Sequence, residues 1–433
     1  MRATGCSVAP ASWEILPLDD VCMRITSGGT PSRRAPEFFI GGTIPWVKTQ
    51  ELLDGWIDDT EEHITLDAVK NSSAKILPEQ TVLVAMYGAT VGQLGMLRRP
   101  MSCNQACCAF IVDKSKADFR YLYYQLLNHR HQLKELSTGA AQQNLSGTML
   151  KAYQLPFPKV ETQGRIADVL ASLDNKIELN RRMNETLEAM ARALFRSWFV
   201  DFDPVRAKSE GRPTGLPADL DTLFPSEFED SPLGEIPKGW SVRPLDEIAD
   251  FLNGLALQKF PAVEGEPWLP VIKIAQLRKG ITSDCDRASY GVPPNYIIQN
   301  GDLLFSWSGS LEVQVWTHGQ GALNQHLFKV TSKEFQQWFV YQWLMEHLTH
   351  FRHVAASKAT TMGHIQRSHL TGALCVVPDE RVLSAANDQV GPLHAQVVQN
   401  SLEASRLAST RDELLPRLLS GEIEIAGEEV VIG

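Results

Sequence analysis

Hydrophobic residues along residues 161–199 recur at alternating steps of four and three positions. This spacing predicts one long helix with a narrow apolar seam that faces a partner helix. At about 1.5 Å of rise per residue the helix would be roughly 58 Å long, which is more than a single ordinary domain requires. The seam positions are Ile166, Leu170, Leu173, Ile177, Asn180, Asn184, Leu187, Ala191, Leu194 and Trp198.

A second segment near the end of the chain shows the same alternation. Its seam positions are Val390, Leu393, Val397, Asn400, Ala404, Leu407, Arg411, Leu414 and Leu418. Both seams contain asparagine, which weakens a helix pair but penalises wrong registers, so the two segments are predicted to pair with each other. The alternative is that each is an amphipathic helix that packs only on its own domain.

The remainder of the chain is duplicated. WEILPLDDVC, starting at Trp13, is matched by WSVRPLDEIA, starting at Trp240. Residues 87–112 parallel residues 306–331, with the pair Asn104-Gln105 matching Asn324-Gln325, and residues 137–158 parallel 356–378. A repeat of this length is too long for a solenoid and indicates pseudo-two-fold symmetry.

Within each copy the pattern is mixed and rich in strands. Residues 44–48, 80–86 and 107–112 are predicted strands, and residues 118–135 and 334–348 are predicted helices. The order is not a βαβ alternation, so the predicted class is α+β with a twisted, partly closed sheet. The expected division is a first domain at 1–157, the central helix with a Pro-rich and acidic connector at 158–235, a second domain at 236–378 and a C-terminal helix at 379–433.

Composition and charge support this division. The 433 residues are 43% hydrophobic, enough for sizeable cores, and carry a net charge of −10. The acidity belongs to the helical segments, because residues 1–157 carry 15 basic and 15 acidic groups and residues 236–378 carry 12 and 11. Each domain can therefore still present a basic face to nucleic acid. Seven scattered cysteines do not form a disulfide framework, and without a signal peptide core or a long apolar run the chain is expected in the cytoplasm.

Motifs for catalysis are missing from the sequence. It contains neither a Gly-rich dinucleotide fingerprint nor a phosphate-cradling loop. The segment starting at Pro293 holds the residues of a base-amino methyltransferase motif in the wrong order, and Asp174 and Lys176 lie on the heptad helix rather than in a nuclease site. The histidines lack the paired ligands of a zinc site, so no metal site is predicted. The chain is therefore predicted not to be an enzyme by itself.

Four segments, taken in order, closely resemble the specificity subunits of type I restriction-modification enzymes. They are GGTPSRRAPEFFIGGTIPWVKTQEL (28–52), RIADVLASLDNKIELNRRMNETLEAMARALFRSWFVDFDPV (165–205), LFPSEFEDSPLGEIPKGW (223–240) and RDELLPRLLSGEI (411–423). The resemblance covers nearly the whole chain. Several such pieces in the right order are much more specific than any one of them alone.

The resemblance implies two target-recognition domains, each reading one half of a split double-stranded DNA site, joined by two long helices that form an antiparallel coiled coil. The helices would act as a ruler for the unread spacer. The family resemblance also implies that catalysis resides on other chains. These are two modification subunits, which bind S-adenosylmethionine, and restriction subunits that translocate and cut DNA with ATP and magnesium. No cofactor and no membrane contact is expected for this chain.

Residues that contact DNA are predicted from side-chain chemistry alone. In the first domain they are Thr30, Ser32, Arg33, Arg34, Lys48, Tyr87, Thr90, Arg98, Gln142, Gln143 and Asn144. In the second domain they are Gln258, Lys259, Lys273, Ser306, Trp307, Ser308, Lys358, Thr360, Thr361, His364 and Gln366. The segment from Thr30 to Arg34 has no counterpart in Leu255 to Lys259, so the two half-sites need not match.

A function of another class is also compatible with the duplication and the neutral domains. The chain could be a scaffold protein in which the coiled coil mediates oligomerisation and the large domains bind protein. Salt-sensitive, sequence-selective DNA binding distinguishes the two hypotheses.

Overall fold

A computed structural model describes residues 10, 12–138, 144–282, 284–357, 363–426 and 429–431. The chain divides into two compact units, one formed by residues 1–175 with 408–433 and the other by residues 176–407. Each long helix contributes residues to both units. The domain limits predicted from the sequence separate the domains from the long helices, whereas the two units are defined by compactness. The predicted limits therefore stay a prediction.

The first unit is built from ten strands and five helices that precede the long helix. In chain order they are β1 (Glu14–Pro17), α1 (Leu18–Val21), β2 (Cys22–Ser27), β3 (Ile44–Val47), β4 (Trp56–Ile57), β5 (His63–Ile64), α2 (Leu66–Lys70), β6 (Val82–Ala85), β7 (Leu94–Leu97), β8 (Ser102–Cys103), β9 (Cys107–Val112), α3 (Phe119–Asn128), α4 (Arg130–Thr138), α5 (Gly147–Lys151) and β10 (Gln154–Phe157). The long helix α6 (Val160–Phe199) follows.

The second unit repeats this succession. Its elements are α7 (Asp203–Ser209), α8 (Ala218–Asp221), β11 (Phe228–Ser231), β12 (Gly234–Pro237), β13 (Ser241–Pro244), α9 (Leu245–Ile248), β14 (Asp250–Asn253), β15 (Trp268–Ile272), α10 (Ile274–Lys279), β16 (Arg287–Ser289), β17 (Ile297–Ile298), β18 (Leu303–Ser306), β19 (Val313–Val315), β20 (Gly321–Leu323), β21 (Leu327–Thr331), α11 (Gln337–Ser357), α12 (Arg367–Thr371) and β22 (Leu374–Val377). The second long helix α13 (Glu380–Leu419) and the hairpin of β23 (Glu424–Ala426) and β24 (Glu429–Val431) complete the chain.

The two units share the strand order of their sheets except at one edge of each, because β4 in the first unit and β17 in the second have no counterpart. In the first, β2-β9-β6-β7-β4 form the main sheet, β5-β3-β8 form a smaller one and β1 pairs with β10. In the second, β14-β21-β18-β19 and β16-β15-β20-β17 correspond to these sheets, and β13 pairs with β22. Each smaller sheet contains one parallel pair, β3 with β8 and β15 with β20, among otherwise antiparallel strands. The predicted α+β class is confirmed.

The main sheet of the first unit is buried on both faces, which explains why its strands read as unbroken apolar runs. Along β6, Val82 and Val84 pack in the larger core beside Tyr121, whereas Leu83 and Ala85 pack in a second core. Successive residues of a strand point to opposite faces, so both faces demand apolar side chains. The predicted strands at 44–48, 80–86 and 107–112 are therefore found, within one or two residues of their predicted ends.

The two predicted domain helices differ in their limits. Residues 118–135 form two helices, because His129 leaves the helical conformation after α3 and its Nδ1 lies 2.9 Å from the Gln125 carbonyl oxygen. The helix predicted at 334–348 begins at Gln337 and continues to Ser357. Helix ends are less sharply specified by a periodic pattern than the existence of the helix.

The long helices run antiparallel wherever they meet within a unit. In the first unit Arg411 Nη1 lies 2.7 Å from Asp174 Oδ1. In the second, Asn180 donates to Glu403 at 2.8 Å and Asn184 donates to the Val397 carbonyl oxygen at 3.1 Å, so residue numbers rise on one helix as they fall on the other. Every predicted seam residue of both helices is buried or half-buried.

The asparagines of the seam hydrogen-bond to each other. Asn400 is 4% exposed and donates to Asn184 Oδ1 at 2.9 Å, while Gln396 donates to Asn400 Oδ1 at 2.7 Å. Asn184 in turn donates to Ser401 Oγ at 2.9 Å. Since a polar pair of this kind is satisfied in only one register, it specifies the alignment of the helices in this unit.

Replacing Asn400 with leucine is expected to destabilise the second unit by about 1–3 kcal/mol, because Asn184 Oδ1 and the Gln396 amide lose their partner. The double variant N184L/N400L should cost less than the sum of the two single variants, since it removes both polar partners together. A urea double-mutant cycle measures the coupling. Strictly additive costs would show that the asparagines act independently.

The carboxyl end of α6 lies in the aromatic core of the second unit. Phe199 is fully buried among Trp240, Trp338 and Phe339. The Pro-rich segment after it, predicted as a connector, is folded into α7, α8 and the β11–β12 hairpin, because Val205, Phe224 and Ile236 are buried in the same core. Its Pro and Gly residues mark turns within a folded segment.

The sequence predicted neither a disulfide framework nor a membrane-spanning segment. All six cysteines in the described part of the chain are free. Within the same part, every helix is too short or too polar to cross a lipid bilayer.

Candidate nucleic-acid interface

A pair of loops meets at one end of the main sheet in each unit. In the first unit the loop after β6 forms an antiparallel bridge between Tyr87 and Asn144, and Leu145 N donates to the Met86 carbonyl oxygen at 2.9 Å. In the second unit Ser308 bridges to His364, and Ile365 N donates to the Trp307 carbonyl oxygen at 2.9 Å. Predicted DNA-contacting residues that are far apart in sequence are thus brought together twice in the same way.

Two further segments lie beside this pair. In each unit a glycine of one segment closely approaches the backbone of the other. A Cβ on Gly28 would lie 2.0 Å from the Cys103 carbonyl oxygen, and one on Gly254 would lie 2.2 Å from the Asn324 carbonyl oxygen. The side chains of Asn104 and Asn324 accept from the backbone N–H two residues on, at 3.1 and 3.3 Å. These contacts set the positions of the residues that follow each asparagine, Gln105 and Gln325. We call the four loop segments that meet in each unit its loop cluster: residues 28–30, 86–90, 104–106 and 144 in the first unit, and residues 253–256, 307–310, 324–326 and 363–364 in the second.

An arginine from the neighbouring helix supports each loop cluster. Arg130 Nε donates to the Gly92 carbonyl oxygen at 2.9 Å, and Arg352 Nε donates to the Leu311 carbonyl oxygen at 3.1 Å. Sequence analysis missed both residues. The sequence feature that could have identified them is their position, because each arginine precedes the loop that carries Asn144 or His364.

Lys48 and Lys273 occupy matching positions directly after the parallel strands β3 and β15. Their backbone N–H groups donate to Glu51 at 2.7 Å and to Gln276 at 3.2 Å. Their ammonium groups are held by carboxylates, those of Glu61 and Glu62 at 2.9 Å for Lys48 and that of Asp286 for Lys273. A DNA phosphate would have to replace these partners.

The acidic run Asp58 to Glu62 neutralises much of the positive charge near the first loop cluster. Arg33 forms a two-pronged pair with Glu62 at 2.5 and 3.1 Å, and Arg98 contacts Asp58 at 3.1 Å while its guanidinium lies over the Trp56 ring. Thr30 donates to Gln105 Oε1. Thr30, Ser32 and Arg34 are exposed, and Thr90 is half-buried with its hydroxyl on the Tyr87 carbonyl oxygen at 3.3 Å.

The Arg33 guanidinium, with Lys48, lowers the pKa of Glu62 from its usual 4.5 to about 2. Because the folded-state pKa is the lower one, the contribution of Glu62 to stability is fully present above about pH 4.5 and is lost as the pH falls toward 2. The melting temperature of E62Q should therefore approach that of the wild type as the pH is lowered from about 5 to about 2.5. The control variant is E79Q, which changes an exposed glutamate outside this ion pair.

The predicted DNA-contacting residues of the second domain differ widely in their exposure to solvent. Gln258 and Lys259 are exposed on a short helical turn, Gln366 is exposed before α12, and Trp307 and His364 are half-buried. Ser306 and Ser308 are buried, with 0% and 4% of their surface exposed. Ser306 Oγ donates to the Ser310 carbonyl oxygen and accepts from Glu312 N, both at 2.7 Å, so it shapes the loop, and its assignment as a DNA contact stays a prediction.

The Ser308 hydroxyl lies 2.9 Å from Nδ1 of His326, and its assignment as a DNA contact likewise stays a prediction. His326 itself was not predicted from the sequence. The recurring Asn-Gln pair directly before it is the signal that pointed to this loop. Gln142, Gln143, Lys358, Thr360 and Thr361 lie outside the described residues, and their assignment stays a prediction.

Comparison with known proteins finds a matching family model and similar proteins. A family model described as the type I restriction modification DNA specificity domain matches residues 10–189. The type I restriction enzyme MjaIX specificity subunit of Methanocaldococcus jannaschii is 27% identical over 439 residues, covering 98% of this chain and 96% of that protein. The HindI specificity subunit of Haemophilus influenzae is 28% identical over 325 residues, covering 63% of this chain and 70% of that protein.

A solved structure supports the fold. The crystal structure of the type I restriction-modification system S subunit from M. genitalium matches with a TM-score of 0.57 at 16% identity, covering 96% of this chain and 98% of that one. The match to the MjaIX subunit extends over nearly the same length as the structural match. Residues 10–189 thus match the type I DNA specificity domain, and over nearly its whole length the chain is similar to a specificity subunit of a type I restriction enzyme.

Proposed function

We propose that this chain recognises a bipartite double-stranded DNA target, with one half-site read by each of its two recognition domains. The observation that carries the proposal is the duplicated loop cluster, in which the same backbone scaffold presents different side chains. Asn144 in the first domain corresponds to His364 in the second, and Ala106 corresponds to His326. Different side chains on one scaffold are what two unlike half-sites require.

The basic side chains around the loop clusters can exchange their carboxylate partners for DNA phosphates on binding. Lys48, Arg33 and Lys273 are each paired with a carboxylate in the free protein. Partly exposed pairs of this kind contribute little to stability, so a phosphate can replace the carboxylate at low cost. Affinity should then fall steeply with salt concentration, as counterion release demands.

The chemistry is proposed to lie on partner chains. In this proposal two modification subunits supply methyl transfer with S-adenosylmethionine, and restriction subunits supply ATP-driven translocation and cleavage with magnesium, in the cytoplasm where the DNA is. Similarity to type I specificity subunits supports this division of labour. The paired helices α6 and α13, each 40 residues long, would set the spacing between the half-sites.

The test uses the full chain reconstituted with its modification subunits and a library of random DNA duplexes. The expected result is a two-part sequence with an unread spacer and affinity that decreases with salt. Methylation-aware sequencing of DNA treated with the complex should find the modified bases inside the same two-part sequence. Binding without any sequence preference, or methyl transfer by this chain alone, would contradict the proposal and favour the scaffold alternative or a catalytic role.

A further inference from the structure

Three ring side chains lie side by side in the second loop cluster. The Trp307 ring centroid is 5.9 Å from that of His326 and 6.3 Å from that of His364. All three residues are half-buried, so part of each remains accessible to solvent. Such a row offers both stacking surfaces and hydrogen-bonding edges within the width of a few bases.

The row is held in place by the domain. Trp307 Nε1 donates to Asn253 Oδ1 at 2.9 Å, and its ring lies 6.1 Å from that of Phe328 in the core. His326 Nδ1 is engaged by the buried Ser308 hydroxyl at 2.9 Å. The other ring nitrogen, Nε2, lies beside the Gln325 amide at 3.4 Å, a long contact that a better partner can replace.

The first loop cluster has the same scaffold without these rings. Counting from the equivalent asparagines, Ala106 stands where the second domain has His326. From the equivalent loop bridges, Met86 stands in place of Trp307 and Asn144 in place of His364. By contrast, the glutamine before this position, Gln105 or Gln325, is common to both domains.

We propose that His326 is a specificity-determining residue whose Nε2 edge reads one base of the half-site bound by the second domain, with Trp307 and Ser308 positioning the imidazole. The proposal rests on the bipartite recognition proposed above. A side chain that is preorganised by two neighbours discriminates between base edges better than a mobile one, because its orientation is fixed before binding. The shared glutamines make a contact common to both half-sites, whereas the residue after each glutamine distinguishes them.

The experiment compares wild type, H326A, H326Q and H353A as full chains reconstituted with the modification subunits, each presented with the random duplex library. His353 is exposed on α11 and serves as the matched histidine control. H326A should lose discrimination at one base position of one half-site, by about tenfold or more, with the other half-site unchanged. H353A should give the wild-type sequence.

An unchanged recognition sequence for H326A would overturn the assignment of His326 while leaving the proposed function intact. Equal relaxation of both half-sites would overturn it too, because the effect would then be general. If H326A fails to fold, H326Q decides, because glutamine has a similar reach but a different arrangement of donor and acceptor, so the base preference at one position of one half-site should change and an unchanged preference would overturn the assignment. A wild-type complex without any sequence preference would overturn both the inference and the proposed function, so the two failures are distinguishable.

Discussion

Replacing Gly254 with alanine is expected to destabilise the second unit by about 2–4 kcal/mol and to abolish recognition of one half-site. The added Cβ would lie 2.2 Å from the Asn324 carbonyl oxygen and 2.6 Å from that of Leu323. Both atoms are backbone, so they cannot move aside as the end of a flexible side chain can. The Gly254 N–H also donates to the Leu327 carbonyl oxygen at 3.0 Å, and a shift of the strand would break that bond.

Guanidinium unfolding followed by tryptophan fluorescence measures the loss of stability, and the random duplex library measures the loss of recognition. Gly391 provides the control, because it lies in α13 with its nearest neighbour 4.0 Å from an added Cβ. G391A should be neutral or slightly stabilising, as alanine favours helix more than glycine does. Equal stability of G254A and G391A would show that the close approach is not required.

The equivalent change in the first unit should affect the other half-site. A Cβ on Gly28 would lie 2.0 Å from the Cys103 carbonyl oxygen. G28A is therefore expected to relax recognition of the first half-site and to leave the second intact. Loss of both half-sites in either variant would mean that the two recognition domains do not act independently.

Replacing Phe199 with alanine is expected to cost about 3–5 kcal/mol, because it opens a cavity where α6 ends in the core of the second unit. Phe199 is 0% exposed, and its ring centroid lies 5.7 Å from Phe339 and 6.0 Å from Trp240. The loss should reach the folded connector as well, since Phe202 and Phe224 belong to the same core. Thermal unfolding and limited proteolysis of residues 203–237 measure the two effects.

Met190 provides the control on the same helix. Its side chain is 50% exposed, so M190A should change stability by no more than about 0.5 kcal/mol. A small effect of F199A would indicate that the aromatic core refills the cavity. A large effect of M190A on the isolated chain would instead indicate that the solvent-facing side of α6 contributes to the fold.

The long helices were predictable because their signal is local. The four-three alternation placed the first helix at residues 161–199, and the structure has it at Val160–Phe199. The alternation also indicated the second helix, which continues through Pro392 and Pro416. Packing of the apolar seam outweighs the missing N–H of each proline. The periodic pattern therefore predicted this helix better than the rule that proline interrupts a helix.

The candidate site was predictable only in part. The internal repeat pointed to the loops, but not to which side chains they expose. Ser306 resembles an exposed loop hydroxyl in the sequence and is buried in the structure. Arg33 and Lys48 resemble free cations and are paired with Glu62. Burial and pairing depend on residues far away along the chain, which a local pattern does not report.

By itself, the sequence determined the two long helices, the duplication and the family resemblance, because each is carried by the order and spacing of neighbouring residues. Only the tertiary structure decided that Tyr87 meets Asn144 and Ser308 meets His364, and that Arg130 and Arg352 support those loops. It also decided that His326 lies beside Trp307. These contacts join residues from different strands and helices, so they exist only once the sheet has formed and its loops have closed over its end.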